Sequence, residues 1–246
     1  MGRCAFTAIL LLLVLLFAPS SVPQAAGASA SGSDVDQNSP EALEAAYDQA
    51  MKATNWASAI ADAQRLVAMT DSAAHLILLA EAQIASGANT DALATSDRAL
   101  DASKKNKASE DEPESALRDE KARIYLIRGN ALLRLRRDRE AIDSYSRSAA
   151  LASSPGAPLF NICVAYSDSG DPADALPACR KAAQADPSRA DAWFQLGTLL
   201  YADAQTDANG KLLISAECRQ ALEKYLDLAP DGVHAAETRA MLEAAP

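Results

Sequence analysis

At 246 residues and a formal charge of −10, the chain is acidic, with 49% hydrophobic residues but only 5% aromatic ones. Alanine dominates the apolar set, which favours close helix-on-helix packing over a sheet, and no region sustains period-two alternation. A uniformly acidic chain repels phosphate backbones, which argues against a nucleic-acid partner.

The first 30 residues read as a leader and not as part of the fold. Arg3 gives a short positive start, Cys4 to Ala18 is an apolar run, and Ala26-Gly27-Ala28 and Ala28-Ser29-Ala30 offer small-residue cleavage contexts. That is the layout of a secretory signal peptide. The run is short for a membrane span, which needs about 20 residues. Cleavage near residues 26–30 and export to the periplasm or medium are therefore expected, with an uncleaved anchor as the alternative. No stable membrane insertion is expected after cleavage. Residues 31–39 (SGSDVDQNS) are small and polar, a flexible linker.

Helical periodicity begins at Ser39-Pro40-Glu41, a capping serine with Pro in the first turn. It runs from Ala42 to Lys52, breaks at Thr54-Asn55 and resumes from Ala57 to about Met69. Asp71-Ser72 caps a third helix that ends at Ser86-Gly87, and a fourth spans about Thr90 to Ala102. Residues 103–120 then interrupt the pattern with lysines, acids and Pro113. They are expected to form a solvated inserted loop with an extended helix end.

From Lys121 the sequence repeats itself strictly. Tyr125, Leu159 and Trp193 are successively 34 residues apart, as are Gly129, Cys163 and Gly197, and Leu132, Tyr166 and Leu200. In the second helices Ala141 corresponds to Ala175 and Tyr145 to Cys179. The stretch ADAWFQLGTLL carries a W-x-x-L-G pattern at Trp193, Leu196 and Gly197, while REAIDSY supplies Ala141 and Tyr145. Pro187 and Pro230 fill the terminal proline slot. The period and these slots resemble the tetratricopeptide repeat family across most of the chain beyond the leader.

The resemblance implies an all-α, right-handed α-solenoid of about five helical hairpins. Repeats are expected near 40–72, 73–106, 122–155, 156–189 and 190–231, with a capping helix over 233–245. The last repeat carries an insertion of about nine residues, TDANGKLLISAE, between its helices. Antiparallel helices approach within about 8 Å only where the crossing residues are small. Gly129, Gly197 and Ala80 are read in that slot, faced by Ala141, Ala175 and Ala92 on second helices. Arg128 conflicts with this packing, since other first helices put Leu79, Ile162 and Leu196 at its position. It is expected to reach solvent or an acid of the inserted loop.

Chemistry-bearing motifs are sparse. Cys163 and Cys179 lie at inward slots on the two helices of one hairpin. In an oxidising compartment they would close a disulfide loop of about 16 residues, contributing roughly 3 kcal/mol; the alternative is two buried free thiols. Cys218 is left over. The only histidines, His75 and His234, stand in no catalytic or zinc-binding pattern, so neither a metal nor a cofactor is expected. The segment QTDANGK at 205–211 imitates a calcium loop but lacks its first Asp and its final Glu, and reads as a plain loop. No catalytic residues are assigned.

The remaining candidate is a surface. In tetratricopeptide superhelices the first helices of successive repeats line a concave face, which implies a groove here. The outward positions of those helices carry Arg123, Asn130 and Arg134, then Phe160, Asn161 and Ser167, then Phe194, Thr198 and Tyr201. Phe160 and Phe194 are equivalent and are expected to form an aromatic step beside hydrogen-bonding groups. That mixture suits an extended or helical peptide, and the arginines suit an acidic group or a C-terminal carboxylate. The alternative is that a capping helix or inter-repeat packing covers these residues. The reading is thus an exported, non-enzymatic interaction module that holds a protein or peptide partner, in an envelope-assembly or secretion context. The competing reading is a structural or oligomerising element that uses exposed repeat edges.

Overall fold

The computed structural model describes residues 38–105, 113–170, 172–210 and 212–245. The leader, most of the linker and the centre of the inserted loop lie outside the described residues. The described residues form helices joined by turns, with one two-stranded ribbon.

Five antiparallel hairpins follow in order. They are α1 (Pro40–Lys52) with α2 (Trp56–Met69), α3 (Ala73–Ser86) with α4 (Asn89–Ser103), and α5 (Glu114–Arg134) with α6 (Asp138–Leu151). The fourth is α7 (Gly156–Ser169) with α8 (Pro172–Ala185), and the fifth is α9 (Ala190–Ala202) with α10 (Ala216–Leu228), followed by α11 (Ala235–Ala244). Each helix packs on its hairpin partner and on the next helix along the chain, so burial is shared between neighbours, as a solenoid requires. The starts are set locally. Ser39 Oγ accepts from the Ala42 amide, and Ser72 Oγ and Ser215 Oγ do the same for His75 and Cys218.

The turns repeat as well. The chain takes a left-handed backbone just after α1, α3, α5 and α7, at Thr54 (φ 55°), Gly87 (φ 85°), Arg136 (φ 59°) and Gly170 (φ 72°). Glycine adopts this conformation without steric cost; a residue with a Cβ costs about 1–2 kcal/mol there. The fold therefore demands that geometry in every ordinary hairpin, whether or not the sequence supplies glycine.

Helix crossings are decided by one pair per repeat. A Cβ on Gly129 would lie 2.4 Å from Tyr145 Cε1, and one on Gly197 would lie 2.6 Å from Leu222 Cδ2. The same position in the repeat between them is filled by Cys163, which is bonded to Cys179 with the Cα atoms 4.6 Å apart. Two hairpins thus seat a large side chain of the second helix on a glycine of the first. The middle hairpin closes the same gap with a covalent bond, and both sulfur-bearing residues are fully buried.

Three local features depart from the sequence reading. The loop expected over 103–120 is shorter, because α4 runs to Ser103 and α5 starts at Glu114. Leu117 supplies the reason: it is buried, and it anchors two extra turns whose Arg118 and Asp119 bond Ala150 O and the Ser153 amide at the turn into α7. The plain loop expected in the last repeat carries a short antiparallel ribbon, pairing Gln205 with Leu213 and Thr206 with Leu212. Finally, Arg128 stays partly exposed, as expected, but the acid it pairs with belongs to α4. Its Nε donates to Asp97 Oδ1 on α4 at 2.8 Å and its Nη1 to Ser144 Oγ at 2.8 Å, so a half-buried cation keeps two partners.

The last helix closes the stack. Phe194 of α9 stacks on the His234 ring at 3.9 Å between centroids and meets Tyr225 at 5.3 Å. Tyr225 Oη accepts from the His234 amide, and Ala235 and Thr238 are buried against the end of the fifth hairpin.

Candidate functional site

The odd-numbered helices carry all nine residues expected to line a groove, and the structure sorts them into three groups. Two arginines are engaged within the fold. Arg123 makes a bidentate pair with Glu81 of α3, Nε to Oε1 at 2.8 Å and Nη2 to Oε2 at 2.7 Å. Arg134 donates to the Ile84 carbonyl at 2.7 Å near the C-terminal end of α3, where a cation also meets the negative end of the helix dipole. Both guanidiniums therefore lock α5 onto α3. Arg123 thereby meets an acid of the chain itself, whereas Arg134 is exposed and its bond is to a neutral carbonyl.

A second group forms internal polar contacts that stay half-exposed. Asn130 Oδ1 accepts from Tyr145 Oη at 2.9 Å and from Asn161 Nδ2 at 3.0 Å, which sets the two amides side by side on successive first helices. Ser167 Oγ donates to the Cys163 carbonyl and Thr198 Oγ1 to that of Gln195, both back onto their own helices. Tyr201 is half-buried at the end of α9.

The aromatic step does not form. Phe160 is half-buried with the Arg189 guanidinium 5.4 Å from its ring centre. Phe194, its equivalent one repeat on, is only 7% exposed and lies under His234 and Tyr225. The physical reason is position in the stack. Phe160 has another repeat after it, whereas Phe194 belongs to the last hairpin and packs against the closing segment.

A feature missed by the sequence reading lies at the other end of the same face. Glu44, Tyr47 and Asp48 of α1, Ala74, His75, Ile77 and Leu78 of α3, and Ala116, Asp119, Glu120 and Arg123 of α5 line an open cleft of about 680 Å³. Tyr47 Oη donates to the Leu78 carbonyl at 3.0 Å, so the ring is held against α3. Its burial, reinforced by nearby Glu81, pushes the phenol well above the ordinary tyrosine range and keeps it neutral. His75 is fixed from two sides, Nδ1 at 2.9 Å from the Thr70 carbonyl and Nε2 at 3.8 Å from Glu44. The signal was present: Glu44, Tyr47 and Asp48 fall on one face of α1 at helical spacing. It was hidden because the first repeat matches the pattern weakly, and because the α5 turns that bring Asp119 and Glu120 were read as loop.

The remaining thiol is structural. Cys218 is fully buried, its Sγ donates to the Gly197 carbonyl, and burial pushes its pKa up. A buried thiol of that kind is inert as a nucleophile. Among the described residues no group of three or more His, Cys, Asp or Glu side chains is placed to hold a metal ion. No described helix is long and apolar enough to cross a membrane.

Residues 164–213 match the tetratricopeptide repeat family model. No curated protein sequence matches the chain. Among solved structures, PilF of Pseudomonas aeruginosa superposes with a TM-score of 0.62 at 14% identity, covering 85% of this chain and 88% of that one. MamA superposes with a TM-score of 0.53 at 16% identity, covering 82% of this chain and 95% of that one. YrrB, described as a TPR protein with an unusual peptide-binding site, gives 0.51 at 14% identity, with 83% and 94% covered. At these identities the likeness is one of fold.

Proposed function

We propose that this chain, which is built of tetratricopeptide repeats, is an exported interaction module holding a peptide or protein segment along the face of its odd-numbered helices. The observation that carries the reading is the cleft bounded by α1, α3 and α5. Three successive repeats contribute side chains to one open concavity, mixing an aromatic ring, aliphatic carbons and charged groups. Such a mixture is what peptide grooves present, pockets for side chains beside polar groups that fix orientation. The half-exposed amides of Asn130 and Asn161 continue the same face with hydrogen-bonding groups. That YrrB, of the same fold, is described as having a peptide-binding site agrees with this reading. Export is inferred from the leader at residues 1–30, and the Cys163–Cys179 bond supports it, because disulfides persist in oxidising compartments.

The test is position-dependent crosslinking in the native envelope. A photoreactive residue replaces Ala74, which lines the cleft, or Ser146, which is exposed on α6. A discrete adduct with another protein from position 74 but not from 146 is the expected result. Adducts only with a second copy of the chain, or equal adducts from both positions, would favour a structural or oligomerising role. Retention of the chain in the cytoplasm, with the leader uncleaved, would refute the export half of the proposal.

A further inference from the structure

We infer that the α1/α3/α5 cleft selects a partner segment bearing lysine or arginine. The inference rests on the interaction reading above and adds the chemistry of the occupant. The lining brings Glu44, Asp48 and Asp119 together with the partly exposed Leu78 side chain. Opposing them are one full cation and one histidine. Arg123 is neutralised by its two bonds to Glu81, and His75 stands 3.8 Å from Glu44.

Charge complementarity decides between occupants. A carboxylate entering the cleft would face Glu44, Asp48 and Asp119 and find the arginine of the lining already paired with Glu81. A wholly apolar segment would leave Glu44 and Asp48 to be desolvated without compensation, at a cost that grows with burial. A lysine or arginine side chain meets neither penalty. Its aliphatic stem lies along Leu78 while its head reaches the carboxylates of Glu44 and Asp48, the way such side chains cover apolar surface elsewhere. At about 680 Å³ the cleft lies within the range of pockets that bury a ligand of a few side chains.

The experiment uses the chain without its leader and an unbiased probe, a displayed library of random dodecapeptides. Selected sequences are then made as fluorescent peptides and titrated at low salt and at about 0.15 M, where the Debye length is about 8 Å. Three proteins are compared: wild type, Glu44→Gln/Asp48→Asn, and Arg123→Gln. The expected outcome is enrichment of Lys- or Arg-containing peptides whose binding weakens with salt. The double substitution should weaken them by about three- to tenfold, the range for loss of two partly exposed ion pairs. Arg123→Gln should tighten them, a gain that a merely destabilised fold would not give.

Enrichment of acidic or neutral peptides, or an affinity unmoved by the double substitution, would overturn the inference while leaving the interaction reading intact. Dimerisation abolished by the double substitution would assign the cleft to a second copy and also overturn it. Failure to select any peptide, together with no adduct from position 74, would remove both.

Discussion

Gly129→Ala adds one methyl group where the structure has no room for it. The new Cβ would lie 2.4, 2.5 and 3.0 Å from three ring carbons of Tyr145, against a comfortable carbon–carbon separation of about 3.5–4.0 Å. The overlap exceeds about 1 Å, and the ring cannot slide away cheaply. Tyr145 is fully buried, and its hydroxyl donates to Asn130 Oδ1 at 2.9 Å. Overpacking of this kind costs about 1–3 kcal/mol, and a ring pinned at both ends places it near the top of that range. Alanine returns about 1 kcal/mol through helix propensity. The net expectation is a loss of about 2 kcal/mol, or roughly 4–8 °C in melting temperature for a domain of this size. Circular dichroism melts of wild type, Gly129→Ala and Gly129→Ala/Tyr145→Leu measure it. The double variant should recover part of the loss, since leucine resembles the Gly197–Leu222 crossing that the same stack already contains. A single variant melting at or above wild type would refute the claim that this pair sets the helix approach.

Two further outcomes follow from the packing. Replacing Cys163 and Cys179 by alanine opens a 16-residue loop and should cost about 3 kcal/mol. The intact chain without its leader should gain two daltons on reduction, and before reduction only buried Cys218 should react with an alkylating agent, and only after unfolding; three reactive thiols in unreduced, denatured protein would contradict the bond. Phe194→Ala should cost about 3–5 kcal/mol, because the ring is stacked on His234 and packed on Tyr225, whereas Phe160→Ala, at a half-buried site, should cost less. Equal melting temperatures for the two variants would count against the closing role of Phe194.

The hairpins were legible because a solenoid writes its packing into a fixed period. A small residue recurring every 34 residues, Gly129, Cys163 and Gly197, marks a close helix crossing, but the residues seated on the two glycines are Tyr145 and Leu222 and not the alanines expected opposite them. Leu222 escaped because the insertion displaced it from the 34-residue count. The same count placed Phe160 and Phe194 as equals, and here periodicity misled. Equivalent positions share backbone geometry but not neighbours, and Phe194 alone has α10 and the residues leading into α11 beside it. End effects of this kind are invisible to any comparison of repeats with one another.

The arginines show a second limit, which bears directly on function. From the sequence, Arg123 and Arg134 were charges on an outward face, and outward charge suggests a partner of opposite sign. Their partners lie 42 and 50 residues earlier, on α3, against which α5 packs. Once Arg123 is paired with Glu81, the balance along this part of the face reverses. Arginines that read in one dimension as suited to an acidic group stand, in three, beside a cleft lined by acids, with Glu44 and Asp48 arriving from α1 and Asp119 and Glu120 from turns expected to be loop. Charge on a repeat protein has to be counted after the ion pairs between repeats are removed, and here that subtraction changes the sign of the partner.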